Sequence, residues 1–153
     1  MNILIFSRPI RSGKTTELAT WCSGRAGVQG VLMPDRAGKR FFRDLVSGNE
    51  WLAEASDDEK ALAAGRFLFS EAAFRKTCKH VALGMGAHWL IIDEIGRLEL
   101  RGEGFADILR NILEEPGWAP QNLLLVVRDS LLADVIRTFE LQRARVIHDM
   151  SDF

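Results

Sequence analysis

The chain has 153 residues, a length at which one domain buries roughly 68–70% of its unfolded surface. Its 20 lysines and arginines against 21 acids give a formal net charge of −1, which excludes the global basic field of many nucleic-acid binders, so no nucleic-acid partner is expected. The two cysteines, Cys22 and Cys78, form no C-x-x-C pair and read as reduced core thiols of a cytoplasmic protein, and no apolar run reaches the roughly 20 residues that span a bilayer.

In chain order, the first apolar run, "NILIF", lacks a basic n-region and runs straight into the charged "RPIRSGK", so it reads as a strand rather than a leader. "TTELATWC" after Lys14 reads as a helix, and "VQGVLM" as a second strand. The stretch "DRAGKRFFRDLVSGNEWL" carries turn signals at Gly38 and at Ser47-Gly48-Asn49, which predict an antiparallel hairpin insertion. The polar "EASDDEK" that follows reads as exposed. Phe74, Cys78, Val81, Ala82 and Met85 form a helical stripe ahead of the strand "WLIID". A second stripe comprises Phe105, Ile108, Leu109, Ile112 and Leu113, and a third Leu131, Leu132, Val135, Ile136 and Phe139. The strands "NLLLVV" and "ARVIH" follow these two helices in turn.

The strand runs are near-continuous rather than alternating, as expected of parallel strands covered on both faces. Alternation of strand and helix then predicts an α/β three-layer sandwich with a mainly parallel central sheet, built as a single domain over residues 1–153.

Chemistry concentrates where the first strand meets the first helix. Gly13-Lys14-Thr15 completes the second half of the phosphate-binding pattern G-x-x-x-x-G-K-[ST], but Arg8 stands at its first glycine. The strand-loop-helix setting supports a P-loop over Arg8, Pro9, Ile10, Arg11, Ser12, Gly13, Lys14, Thr15 and Thr16. There, backbone N–H groups and the positive helix end would cradle phosphates, with Lys14 as a mobile charge beside the β/γ-phosphates. An arginine at the first glycine must find an allowed conformation or accept strain. Arg8 and Arg11 either hold the triphosphate or point to solvent.

A second signal, "WLIIDEIG", ends an apolar strand in two acids, the arrangement called Walker B. Asp93, with the Thr15 hydroxyl, would hold Mg²⁺, and Glu94 would activate the water that attacks the γ-phosphate. Arg128, closing "NLLLVV", either senses the γ-phosphate or pairs with Asp129 or another nearby carboxylate. His80, His88 and His148 show no metal spacing.

Together, "RSGKTTEL" and "LIIDEIGRLEL" resemble the family of the thermophilic-type and human cancer-related nucleoside triphosphatases. Its Walker B strand continues as D-E-I-G-K-M-E-L, which Asp93 to Leu100 match with Arg97 for lysine and Leu98 for methionine. Arg36, Gly38 and Arg40 match the family's R-x-G-x-R hairpin, Ser47-Gly48 its following turn, and Gly65 to Phe74 the segment before its central helix, with Phe67 in a tyrosine position. The chain departs from the family's G-P-P-G-x-G-K-T loop at Arg8, Ile10 and Arg11.

The resemblance implies a P-loop fold, a catalytic glutamate at Glu94 and slow, Mg²⁺-dependent hydrolysis of ATP, GTP and other nucleoside triphosphates with little base selectivity. The alternatives are a nucleotide or small-molecule kinase with an acceptor site at the hairpin, and a regulatory module that binds nucleotide and barely hydrolyses it.

Overall fold

The computed structural model describes residues 1–152. Strand β1 (Asn2–Arg8) leads into helix α1 (Lys14–Cys22), followed by β2 (Val28–Leu32), β3 (Asp35–Arg36), β4 (Lys39–Asp44), β5 (Glu50–Leu52), β6 (Ala61–Ala64) and β7 (Phe67–Ser70). Helix α2 (Glu71–Ala82) precedes β8 (Trp89–Asp93), α3 (Arg97–Leu100), α4 (Ala106–Glu114) and β9 (Asn122–Arg128). A 3₁₀ turn (Asp129–Leu131), α5 (Leu132–Thr138) and β10 (Arg145–Ile147) complete the series.

An eight-stranded sheet runs in the order β10-β1-β9-β8-β2-β4-β3, with β5 added on β4. Pairing is parallel from β10 through β2 and antiparallel in the β3, β4 and β5 extension. All five apolar runs are therefore parallel strands, and the two hairpin turns fall at Gly38 and Ser47-Gly48 as their sequence signals indicate.

Strand alternation sorts the core onto two faces. Leu4, Phe6, Ile91, Leu124 and Val126 pack with Leu18 and Cys22 of α1. Ile5, Leu90, Ile92, Leu123, Leu125 and Val127 point the other way, toward Phe74 and Val81 of α2, Leu109 and Ile112 of α4 and Val135 of α5. The result is the three-layer sandwich, with α1 alone on one side. Fully burying side chains of this kind contributes about 1.5–3 kcal/mol each before the cost of chain ordering. Cys22 and Cys78 are free thiols, which burial pushes up to about 12 and about 11, so both are protonated at neutral pH.

One close approach fixes a register. At Gly30, paired with Ile91, an added Cβ would lie 2.0 Å from the Ile91 carbonyl oxygen, so only glycine fits between β2 and β8.

A second, two-stranded sheet of β6 and β7, turning at Gly65-Arg66, stands outside the strands that the sequence predicts. "ALAA" carries no β-branched or aromatic residue, so nothing in its own preference indicates a strand. It becomes one because Leu62 and Phe69, paired across the hairpin, both bury their side chains in the core. This hairpin leads directly into α2, whose first turn is capped by the Ser70 hydroxyl accepting the Ala73 N–H at 3.0 Å.

Candidate nucleotide site

The carboxyl ends of β1, β8 and β9 meet at one edge of the sheet, because their parallel register aligns Arg8 with Arg128 and Asp93 with Val126. In an open α/β sheet this is the edge that binds ligands. The loop between β1 and α1 closes over it.

Arg8 sits in β1 itself, and the left-handed backbone falls instead on Arg11, at φ 58°, and on Gly13, at φ 83°. The strain that the sequence placed at the first glycine position is thus carried three residues later, by an arginine, at a cost of about 1–2 kcal/mol for a residue with a Cβ. The loop keeps a tight turn into α1 without its first two glycines. No side chain caps the start of α1, leaving the N–H groups of Lys14, Thr15 and Thr16 without intrahelical acceptors and facing any phosphate placed there.

Lys14 is buried, and its Nζ donates to the carbonyl oxygens of Pro9 at 2.9 Å and Arg8 at 3.3 Å. An ammonium has three N–H donors, so one remains for a ligand. Burial lowers the Lys14 pKa from its ordinary value, while the charges of Glu94 and Asp93 pull it back up.

The Thr15 hydroxyl donates to Asp93 Oδ2 at 2.7 Å, joining the loop to the end of β8. The Met33 N–H donates to the same oxygen at 3.1 Å. Burial, and secondarily the neighbouring charge of Glu94, pushes the Asp93 carboxyl up to about 6. No cation is within salt-bridge distance of it among the described residues.

Glu94 is half-buried and accepts from Arg128 Nη2 at 3.3 Å, which makes Glu94, not Asp129, the carboxylate that Arg128 meets. Beyond it, Glu99 is fully enclosed and accepts from the N–H groups of Gly96 at 2.7 Å and Phe105 at 2.9 Å. Burial raises its carboxyl to about 7. Glu99 thereby ties the segment carrying Glu94 to the start of α4.

A cavity of about 400 Å³ opens along the loop, within the range of about 300–1,000 Å³ usual for small-molecule sites. Ile10, Arg11, Ser12, Gly13, Lys14, Thr15 and Thr16 line it, together with Glu94 and Arg128. Three residues expected there do not: Asp93 is buried behind Thr15, and two belong to the loop. Pro9 contributes only its carbonyl to Lys14, and the Arg8 guanidinium turns to Glu17 at 3.4 Å and over the Phe6 ring at 5.0 Å. The Arg8 side chain is thus neither in the cavity lining nor fully in solvent, at 22% exposed.

Met33, Arg36, Arg40, Arg43 and Arg66 also line the cavity. Arg36 and Arg40 belong to the R-x-G-x-R hairpin, a signal visible in the sequence, whereas nothing local distinguishes Arg66.

Fold and site edge together define a three-layer α/β sandwich with a strand-loop-helix turn at the carboxyl edge of its mainly parallel sheet. The chain is similar in structure to THEP1 from the hyperthermophile Aquifex aeolicus, with a TM-score of 0.69 at 21% identity over 99% of this chain and 92% of that one. It is also similar to a human cancer-related nucleoside triphosphatase, with a TM-score of 0.65 at 20% identity over 99% of this chain and 90% of that one. No protein-family model matches the sequence, and comparison with curated proteins returns no match. The fold shared with these two structures is the one implied by the resemblance in "DEIGRLEL" and its companions. No described helix is long and apolar enough to cross a membrane.

Proposed function

We propose that the chain is a slow, Mg²⁺-dependent nucleoside triphosphatase that cleaves the β–γ phosphoanhydride with little base selectivity. The observation that carries this reading is the 2.7 Å contact between Thr15 and Asp93, beside a cavity that Glu94 lines.

The residues present fit the ion. A buried carboxylate pushed up to about 6, with no cation within 4.0 Å among the described residues, would be relieved by one. Among the described residues no cluster of three or more His, Cys, Asp or Glu side chains is arranged to hold a metal. That suits Mg²⁺, which keeps several waters and takes one or two protein oxygens plus substrate phosphates. Thr15 and Asp93 would hold it, and when bound it would neutralise charge on the phosphate oxygens.

The protein's own groups supply the rest. Loop amides and the free Lys14 donor bind and orient the triphosphate. Glu94 accepts the proton of the attacking water as its oxygen approaches the γ-phosphorus. Arg128, on Glu94, orients that carboxylate and adds positive charge at the reacting group. The sequence has no N-K-x-D guanine-reading motif, so ATP, GTP, CTP and UTP are expected as substrates.

The test is release of inorganic phosphate from these four triphosphates with and without Mg²⁺. Catalytic efficiencies should agree within about tenfold, or about 1.4 kcal/mol, and vanish without the ion. No phosphate release from any of them would overturn the reading.

A further inference from the structure

Glu94 lines a second chamber as well as the loop cavity. This chamber has a volume of about 250 Å³, and Arg40, Arg66 and Arg128 line both spaces. In an in-line displacement the nucleophile approaches opposite the leaving diphosphate, and Glu94 is the group that takes the nucleophile's proton. The chamber adjoins the loop cavity at Glu94, so a compound held in it would meet the group assigned to take the nucleophile's proton.

Its lining is more than a water molecule requires. Phe67, Phe69, Phe74 and Leu98 make an apolar wall. The guanidiniums of Arg40 and Arg66 lie 5.3 Å and 5.0 Å from the centroid of the Phe67 ring. Arg97, at the start of α3, lines the chamber but not the loop cavity. Among the described residues, neither Arg66 nor Arg97 has a carboxylate within 4.0 Å, and Arg40 has only Asp35, at 4.0 Å. Arg40 Nε is buried without a hydrogen-bond partner. Glu99, the second carboxylate in the lining, is already bonded to the Gly96 and Phe105 N–H groups. The chamber thus combines uncompensated positive charge with an aromatic wall in which Phe67 and Phe69 are stacked and Phe74 meets Phe69 edge-on. Its size is just below the usual range of about 300–1,000 Å³ for ligand pockets, so its occupant is small.

We infer that this chamber is a second-substrate site, taking a small hydroxyl compound with a flat apolar body and a phosphate or carboxylate group. The inference rests on the nucleotide reading of the neighbouring cavity. The acceptor's hydroxyl oxygen forms the new bond to the γ-phosphorus as the bond to the β-bridging oxygen breaks. The nucleoside diphosphate leaves with that electron pair, and the hydroxyl proton passes to the Glu94 carboxylate. Water completes the same displacement when the chamber is empty.

Phenyl phosphate, which matches the chamber but has no hydroxyl to donate, is the binding probe. It is titrated calorimetrically into the full chain saturated with Mg²⁺ and β,γ-imido-ATP, beside inorganic phosphate alone. We expect saturable binding below about 1 mM, at least about tenfold tighter than inorganic phosphate, and inhibition of ATP hydrolysis that is noncompetitive with ATP. Arg97→Ala removes a cation and Ala64→Phe fills the chamber; neither residue lines the loop cavity. Each should weaken phenyl phosphate at least about tenfold while leaving imido-ATP affinity within about threefold. The acceptor is 4-(hydroxymethyl)benzoate with γ-labelled ATP, and label should appear in its phosphate ester.

Absence of phenyl phosphate binding to the nucleotide-loaded chain, competition with ATP, or affinities unmoved in both variants would overturn the site. Equal affinity for inorganic phosphate would overturn the aromatic part of the specificity. Label found only in inorganic phosphate while 4-(hydroxymethyl)benzoate is bound would overturn the transfer. If imido-ATP itself fails to bind, the nucleotide reading falls and this one with it; failure of phenyl phosphate alone leaves hydrolysis standing.

Discussion

Replacing Glu99 with alanine removes the acceptor of two buried N–H groups, those of Gly96 and Phe105. A buried donor left unsatisfied costs about 1–3 kcal/mol, so Glu99→Ala should destabilise the chain by about 2–6 kcal/mol. At about 2–4 °C per kcal/mol for a domain of this size, the melting temperature should fall by at least about 4 °C. Glu99→Gln keeps one accepting oxygen and turns an NH₂ group toward the other donor, so its loss should be about half as large. Burial also gives this residue a pH signature. Its carboxyl rises from 4.5 to about 7 on folding, so the folded chain binds the proton more tightly than the unfolded one. Its stabilisation is fully present below pH 4.5 and is lost as pH rises through about 7, a change on the order of 3 kcal/mol. Asp93, raised to about 6, adds a slope of the same sign over a lower window. Urea unfolding of the metal-free chain between pH 4.5 and 8 measures both effects. Glu99→Gln should flatten the upper part of the profile. A Glu99→Ala chain within about 0.5 kcal/mol of native at pH 7 would refute the reasoning, because changes that small are typical of surface sites without such bonds.

Gly30→Ala should destabilise by about 3 kcal/mol, at the upper end of overpacking effects, since its Cβ would meet the Ile91 backbone; native stability in urea would contradict the β2–β8 register. Lys14→Ala should abolish Mg²⁺-ATP binding in calorimetry, and retained affinity would remove Lys14 from the phosphate site. Asp93→Asn should weaken triphosphate affinity and Mg²⁺ dependence together, and an effect on neither would separate Asp93 from the ion. Arg8→Gly should keep ATP affinity within about threefold, because the guanidinium is on Glu17, whereas a large loss would place it on the phosphates.

Much of this architecture is legible in the chain because parallel strands buried on both faces leave unbroken apolar runs, and because Gly38 and Ser47-Gly48 are strong turn signals. The Thr15–Asp93 contact is consistent with motif order, since Asp93 ends β8 and Thr15 opens the helix that follows β1, whose carboxyl end lies at the same edge of the sheet. Other features depend on tertiary placement. The β6–β7 hairpin is made by core burial of Leu62 and Phe69 against weak local preference. Arg66 reaches the site only because that hairpin exists, and the turn of Arg8 toward Glu17 depends on a neighbour across the loop, in the first turn of α1. Glu99 was visible in "DEIGRLEL" as a motif residue, but its task of bonding backbone N–H groups appears only once α3 and α4 are in place.

The central claim is that Glu94 handles the attacking water while the loop, Lys14 and Thr15 bind the nucleotide. Glu94→Gln, assayed for both Mg²⁺-ATP affinity and phosphate release, tests it most directly. The substitution keeps shape and polarity but removes the base, so affinity should stay near native while hydrolysis falls by about 10²–10⁴-fold. Native turnover in Glu94→Gln would contradict the assignment and hand activation of the water to another group or to the phosphate itself.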